Sequence, residues 1–174
     1  MLRPALAWLV AIFLCVLATA TQAQVLWQGA RYGMSVAEVQ HTFPKAKLLA
    51  EPQRYGDTEG KLVLPEVALV SEHFDAVFIF KGNRLSQVSL KLKSKEAPFD
   101  TLLSTTFDSL TTALRAKYGI ELNRSIKRGD LNTATIEWMS GRTNIALTMI
   151  AVSDTPALLS IVYQVRVARD ADKL

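Results

Sequence analysis

Residues 75–92, which read DAVFIFKGNRLSQVSLKL, carry the pattern that decides the fold of this chain. Residues 76–80 are apolar at every position, and after a Lys-Gly-Asn-Arg turn apolar side chains alternate with serine or lysine. A period of two around a Gly-Asn turn predicts a β-hairpin. We expect the first strand to be central in its sheet and the second to expose one face, with Lys91 and Lys93 pointing to solvent.

Two helices are predicted outside this hairpin. Ser35 and Glu38 match a capping box, which predicts a short helix over residues 35–43. Between Pro98 and Gly119, apolar residues recur at helical spacing, which predicts a long amphipathic helix. The residues that we expect to be buried together lie on the apolar faces of their elements: Leu90, Phe107, Leu110, Trp138 and Ile161.

The rest of the chain is predicted to hold strands and one long connection. Period-two patterns predict three further strands, at residues 133–139, 144–152 and 158–166. Residues 45–66 contain two prolines and two glycines with weak periodicity, which favours a long connection holding one short strand.

This order of elements predicts an α+β domain over residues 24–174. Antiparallel sheet, in one piece or two, is expected to be covered on one face by helices. The halves, about 24–95 and 96–174, share a helix-then-strands plan, which favours a structural pseudo-repeat.

The first 23 residues are expected to be a secretory signal peptide. Arg3 precedes an uncharged apolar run that is too short to cross a bilayer of about 30 Å, and small residues before Ala23 favour cleavage there. No second hydrophobic span follows, so we expect the mature chain to have no transmembrane segment. Export without a cysteine framework favours a bacterial periplasm.

The composition excludes several classes of protein. The chain has 174 residues, 49% of them hydrophobic, and a formal charge of +4, which excludes a disordered chain and a collagen-like rod. Its one cysteine, Cys15, lies in the expected leader. The mature chain therefore has no disulfide, thiol nucleophile or thiolate metal ligand.

Motifs for catalysis and cofactors are not found. The sequence lacks G-x-S-x-G, S-x-x-K, G-x-G-x-x-G and Walker patterns. His73 lies between Glu72 and Asp75, but without the paired histidines of a zinc helix. We therefore expect no enzyme, no metal site and no cofactor, and we keep a hydrolase with an unrecognised carboxylate site as an alternative.

Charge is distributed unevenly along the chain. Residues 51–75 hold six acids and two bases, whereas residues 81–95 hold five bases and no acid. We interpret the second stretch as a basic face that steers a charged partner. Nucleic acid is not expected, because the basic stretches lack interleaved aromatic residues. The candidate binding residues are Lys81, Arg84, Lys91, Lys93 and Lys95.

Residues 27–39, WQGARYGMSVAEV, together with Phe43-Pro44, resemble the Gly-Met-Ser/Thr-x-x-x-Val opening of small exported bacterial domains. These are the β-lactamase-inhibitor-protein-like fold and the SmpA/OmlA-like lipoprotein of outer-membrane assembly. The resemblance implies a periplasmic α+β module that acts by protein contact. The chain departs from that pattern because it has no lipobox, no disulfide cysteines and one helix in place of a pair, so no family binding residue is transferred to it.

Together these features predict a periplasmic, non-catalytic module that binds a periplasmic or envelope protein, as an inhibitor or an assembly factor. A binder of envelope glycan or of anionic lipid headgroups is the alternative of a different class.

Overall fold

The computed structural model describes residues 23–93, 99–129, 131–152 and 155–166. Within these ranges the chain forms ten strands and two helices. In chain order they are β1 (Val25–Trp27), β2 (Ala30–Arg31), α1 (Val36–Thr42), β3 (Lys47–Tyr55), β4 (Thr58–Leu69), β5 (Glu72–Lys81), β6 (Arg84–Leu92), α2 (Phe99–Tyr118), β7 (Asn123–Lys127), β8 (Leu131–Ser140), β9 (Thr143–Val152) and β10 (Thr155–Val165).

Eight of the strands form one antiparallel sheet in the order β3-β4-β5-β6-β10-β9-β8-β7. Each half of the chain supplies a four-stranded meander, and the two meanders meet where their last strands pair. At this seam Lys91 of β6 lies opposite Ser160 of β10, and Gln87 lies opposite Gln164. The small β1–β2 pair forms a separate two-stranded sheet that packs against β6 and β10 of the large one.

The predicted α+β class, with sheets covered on one face by helices, was wrong, because the protein is mostly β. Helices of 7 and 20 residues stand beside an eight-stranded sheet. The main contacts of α2 reach only β8, β9 and β10. The error lies chiefly in residues 45–66, which form most of β3 and β4 in place of a connection.

The prolines of β3 and β4 do not break these strands, because each occupies a position that a sheet tolerates. Pro52 lies in β3, an edge strand, within a register shift between Leu48 and Gln53, and Pro65 lies in a second shift, between β4 and β5. Edge strands and bulges are where a residue without an N–H can be accommodated.

Other sequence predictions are confirmed. The β5–β6 hairpin turns between Lys81 and Arg84. Helix α1 has the predicted capping box, in which the Glu38 amide donates to the Ser35 hydroxyl and Glu38 accepts from the Ser35 amide. The strands predicted at residues 133–139, 144–152 and 158–166 match β8, β9 and β10 to within a few residues.

The core occupies one face of the sheet. Cross-strand register aligns one row of large buried side chains over six strands: Leu62, Phe78, Val88, Tyr163, Ile145 and Trp138. The predicted cluster of Leu90, Phe107, Leu110, Trp138 and Ile161 is confirmed, and each member is at most 4% exposed.

Both helices bury their apolar residues against this core face. Helix α1 does so through Val39, and Phe43 just after it packs on Phe78 with ring centroids 5.0 Å apart. The end of α2 is fixed by the Trp138 indole, whose Nε1 donates to the Gly119 carbonyl at 3.1 Å. Within the described ranges, no helix is long and apolar enough to cross a membrane.

Candidate binding face

The opposite side of the sheet, which we call the open face, carries neither described helix. Its side chains are those that alternate with the core row on each strand. On the four central strands they are Val77 and Ile79 of β5, Gln87, Ser89 and Lys91 of β6, Ser160, Val162 and Gln164 of β10, and Asn144, Ala146 and Thr148 of β9. Most of them are short or uncharged.

A register-aligned row of hydroxyl side chains crosses half of the open face. Ser160 lies opposite Thr148, Thr148 opposite Thr135, and Thr135 opposite Ser125. The row joins four adjacent strands and extends about 14 Å, because neighbouring strands lie about 4.8 Å apart. The Thr135 and Thr148 Oγ1 atoms are 3.5 Å apart. We call these four residues the hydroxyl row; Ser125 is exposed, Thr135 and Thr148 are half-buried and Ser160 is only 5% exposed, so the row is most accessible at its β7 end.

A second cluster lies on the open face in the first half of the chain. The Lys91 ammonium donates to the Tyr55 hydroxyl at 2.6 Å and to the Gln53 amide oxygen at 3.1 Å, and it lies 5.1 Å from the centre of the Tyr55 ring. Tyr55 and Gln53 belong to β3, so this bridge passes over β4 and β5. The bridge helps to explain why Val77, on a face without a described helix, is only 3% exposed.

The predicted basic residues do not form one patch. Lys81 and Arg84 lie at the hairpin turn, whereas Lys91 and Lys93 lie at the other end of β6, about 23 Å away at 3.3 Å per residue. Lys95 lies outside the described residues. Lys91 and Lys93 do lie on the open face, as the alternation predicted, although Lys91 is half-buried.

Acidic residues of the first half pair with these bases. Lys81 Nζ lies 2.6 Å from Asp57 Oδ2, and Lys93 forms an ion pair with Glu66. The hydrogen bond from Lys81 lowers the pKa of Asp57, and that from Lys93 lowers the pKa of Glu66. Arg84 donates to the Gly33 carbonyl at 3.2 Å. Of the described bases in the basic stretch, Lys81 and Lys93 are therefore paired with carboxylates, whereas Arg84 and Lys91 donate to uncharged oxygens.

Sequence reasoning missed the hydroxyl row and the Tyr55 bridge. A signal for the row was present, because Thr135, Thr148 and Ser160 alternate with the apolar residues used to predict the core. The bridge carried no such signal, because it depends on residues 45–66 forming strands.

Two shallow depressions lie away from the hydroxyl row. One, of about 400 Å³, lies at the hairpin tips among Arg54, Asp57, Glu59, Lys61 and Asn83. The other, of about 670 Å³, lies among Pro44, Lys45, Lys47, Leu64 and Glu66. In the described part of the chain, no group of three or more His, Cys, Asp or Glu residues is placed to hold a metal ion.

We compared the chain with known families, curated proteins and solved structures. No family model, no curated protein and no solved structure matches the chain.

Proposed function

We propose that this protein is an exported binding module that docks a folded envelope protein across its open face. The observation that carries the proposal is the hydroxyl row, a strip of short polar side chains in register over four strands. It gives a partner close access to the sheet together with hydrogen-bonding groups.

The size of the face supports a protein partner. Eight strands span about 34 Å at 4.8 Å per interval, and the 9 to 12 residues of strands such as β4 and β6 extend about 30 to 40 Å. The resulting area, about 1,000 Å², exceeds the roughly 800 Å² per partner of a standard protein interface. The core of such an interface is depleted of charged residues, as this face is along the hydroxyl row.

The charges at one end of the face support an acidic partner surface. Lys91 and Lys93 lie on the open face at this end, and the Lys93 side chain is 43% exposed although it is paired with Glu66. We infer that these rim charges mainly accelerate association, because exposed charges steer encounter more than they determine complex lifetime. The leader-like first 23 residues support an encounter in the periplasm.

Envelope glycan is a second candidate ligand. Gln87, Gln164 and Asn144 lie opposite one another in register, which makes an amide row beside the hydroxyl row. Amide groups donate to and accept from sugar hydroxyls, and the Tyr55 ring offers a stacking surface.

Site-specific photo-crosslinking in the bacterium that exports the protein tests the proposal. A photoreactive residue at Ser125, which lies on the open face, is expected to give a discrete protein adduct. The same residue at Thr112, an exposed position of α2, is the matched control and is expected to give none.

A steric variant then locates the interface. Thr148→Arg places a long side chain in the middle of the hydroxyl row and is expected to remove the Ser125 adduct while circular dichroism stays unchanged. Equal adducts from Ser125 and Thr112, or an adduct that survives in folded Thr148→Arg, would contradict docking on this face. Retention on purified peptidoglycan without any protein adduct would favour the glycan candidate.

A further inference from the structure

Strand β7 is an exposed edge of the sheet with an unusual set of side chains. It pairs only with β8, and all five of its residues are exposed. The outward backbone N–H and C=O groups of an edge strand are a template for another strand. Ile120 and Leu122, just before β7, are the two most exposed large apolar side chains in the described part of the chain, at 85% and 66%.

Both apolar and basic side chains lie along this edge. Arg124 lies opposite Ile136, and Ile126 opposite Ala134, so both side chains lie on the core-face side of the sheet. Lys127 lies opposite Thr133 and so lies on the open-face side. Ile126 is 52% exposed, although its neighbours on β8 are buried or half-buried.

The positive charge of this edge is not compensated as it is in the first half of the chain. Arg124, Lys127 and Arg128 are exposed, and none of them forms an ion pair with a carboxylate of the described residues. Glu121, the acid nearest to Arg124 in sequence, is held by two hydrogen bonds from Arg115, and Asp130, which follows Arg128 by two residues, lies outside the described residues.

We propose that β7 is a second docking site, which binds an extended acidic segment of another protein as a ninth strand. Strand addition would pair the outward backbone groups of β7, place carboxylates of the segment against Arg124 and Lys127, and cover Leu122 and Ile126 with its apolar residues. The complementarity of charge selects the acidic segment.

Two other occupants fit less well. A second copy of this chain would bring both copies' Arg124, Lys127 and Arg128 along one short ladder, and like charges there are destabilising. A lipid surface would bury the edge's backbone N–H and C=O groups without partners, which is costly in hydrocarbon.

A synthetic peptide tests the proposal on the mature protein. The probe is a capped, dye-labelled peptide of Glu-Glu-Val-Val repeats, which places glutamate and valine on both faces of an extended strand, and fluorescence anisotropy measures its affinity at low and high salt. We expect binding that weakens with salt, because exposed charges are screened. Hydrogen exchange is expected to slow at the β7 amides.

Two variants of equal charge change identify the edge. The double variant Arg124→Glu, Lys127→Glu on β7 is expected to weaken binding about tenfold or more. The matched control, Lys45→Glu with Lys47→Glu at the β3 end of the sheet, is expected to leave the affinity unchanged. A peptide N-methylated at every residue has no backbone N–H to donate from either edge and is expected not to bind.

Several results would overturn the proposal: no binding of the glutamate-valine peptide, equal binding of its lysine-valine counterpart or of the N-methylated form, or equal loss in both double variants. Binding to phosphatidylglycerol vesicles that depends on Ile120 and Leu122, without peptide binding, would assign the edge to a membrane surface. Because Ser125 itself lies on β7, crosslinking from Gln164, an exposed open-face residue of β10 three strands away, distinguishes failure here from failure of the open-face proposal.

Discussion

Glu121 shows how a single side chain fixes the turn after the long helix. Arg115, in the last turn of α2, donates from Nε and Nη2 to the two carboxylate oxygens of Glu121 at 3.0 and 2.6 Å. Such a two-point pair is geometrically specific. It ties the end of α2 to the residues that lead into β7, and the hydrogen bonds from Arg115 lower the pKa of Glu121.

The Arg115–Glu121 pair predicts a lowered titration midpoint for the Glu121 carboxyl, and the substitution Arg115→Gln should reverse it. Because the folded pKa of Glu121 is lowered, the stabilisation is present above its ordinary value of 4.5 and is lost as the pH falls through the folded value. NMR titration of the Glu121 carboxyl should give a midpoint below 4.5, and Arg115→Gln should raise it. Lys117→Gln, the same charge change two residues away, should have much less effect. A midpoint that does not move in Arg115→Gln would show that the pair does not persist in solution.

At the scale of elements, the β3–β4 hairpin depends on close packing at one glycine. A Cβ atom at Gly60 would lie 2.9 Å from Val77 Cγ1, and 3.6 Å from both Gln53 Cβ and Tyr55 Cε2. Gly60 thus leaves room for Val77 of β5 beneath the Tyr55 bridge. In the sequence alone, the same glycine favours a loop, because glycine is frequent in connections.

Gly60→Ala is expected to destabilise the protein by about 1 to 3 kcal/mol, because the added methyl overpacks the contact with Val77. Urea denaturation measures the change. Gly129→Ala is the matched control, since a Cβ there meets nothing within 4 Å, and it should change stability by less than about 0.5 kcal/mol. Similar losses in the two variants would contradict the packing argument.

The elements with a strong local pattern were predictable, and those that depend on tertiary context were not. The hairpin at residues 75–92, the capped helix and the long helix all carry periodicity and end signals in their own residues. Strands β3 and β4 carry prolines and glycines whose tolerance depends on an edge, a bulge and a close contact with β5. Strand β7, all exposed, has no apolar alternation to mark it.

The candidate site likewise has a part that the sequence predicted and a part that it could not predict. Alternation along β6 placed Lys91 and Lys93 on the open face, because a face follows from the period of two. The ion partners of the bases could not be predicted, since Asp57 and Glu66 reach Lys81 and Lys93 only through the pairing of β4 with β5 and of β5 with β6. Two bases of the run, Lys81 and Lys93, therefore form ion pairs within the fold.

At the scale of the whole molecule, the two halves share one core across the β6–β10 seam. Leu90 lies opposite Ile161 at this seam, and the buried cluster extends from Trp27 in the first half to Trp138 in the second. The small β1–β2 pair packs across both meanders, because β1 contacts β6 of the first and β10 of the second. The halves should therefore unfold together.

We predict a single cooperative unfolding transition for residues 24–174, whose two tryptophans are Trp27 and Trp138. Trp27→Phe leaves Trp138 as the fluorescence probe of the second half, and Trp138→Phe leaves Trp27 as the probe of the first. Within each variant, fluorescence and far-UV circular dichroism should give the same urea midpoint and slope. Separate midpoints within one variant would show that the halves are independent folding units.

The register shift in the β3 edge strand affects how molecules of this protein can assemble with one another. A sheet with two free edges can polymerise head to tail, β3 of one molecule on β7 of the next, and such a contact repeats without closing into a filament. The register shift between Leu48 and Gln53, with Pro52 inside it, interrupts the hydrogen-bonding line that a continuous ladder needs. We therefore expect the β3 end to oppose such growth, so that β7 stays accessible to other partners even at high concentrations of the protein.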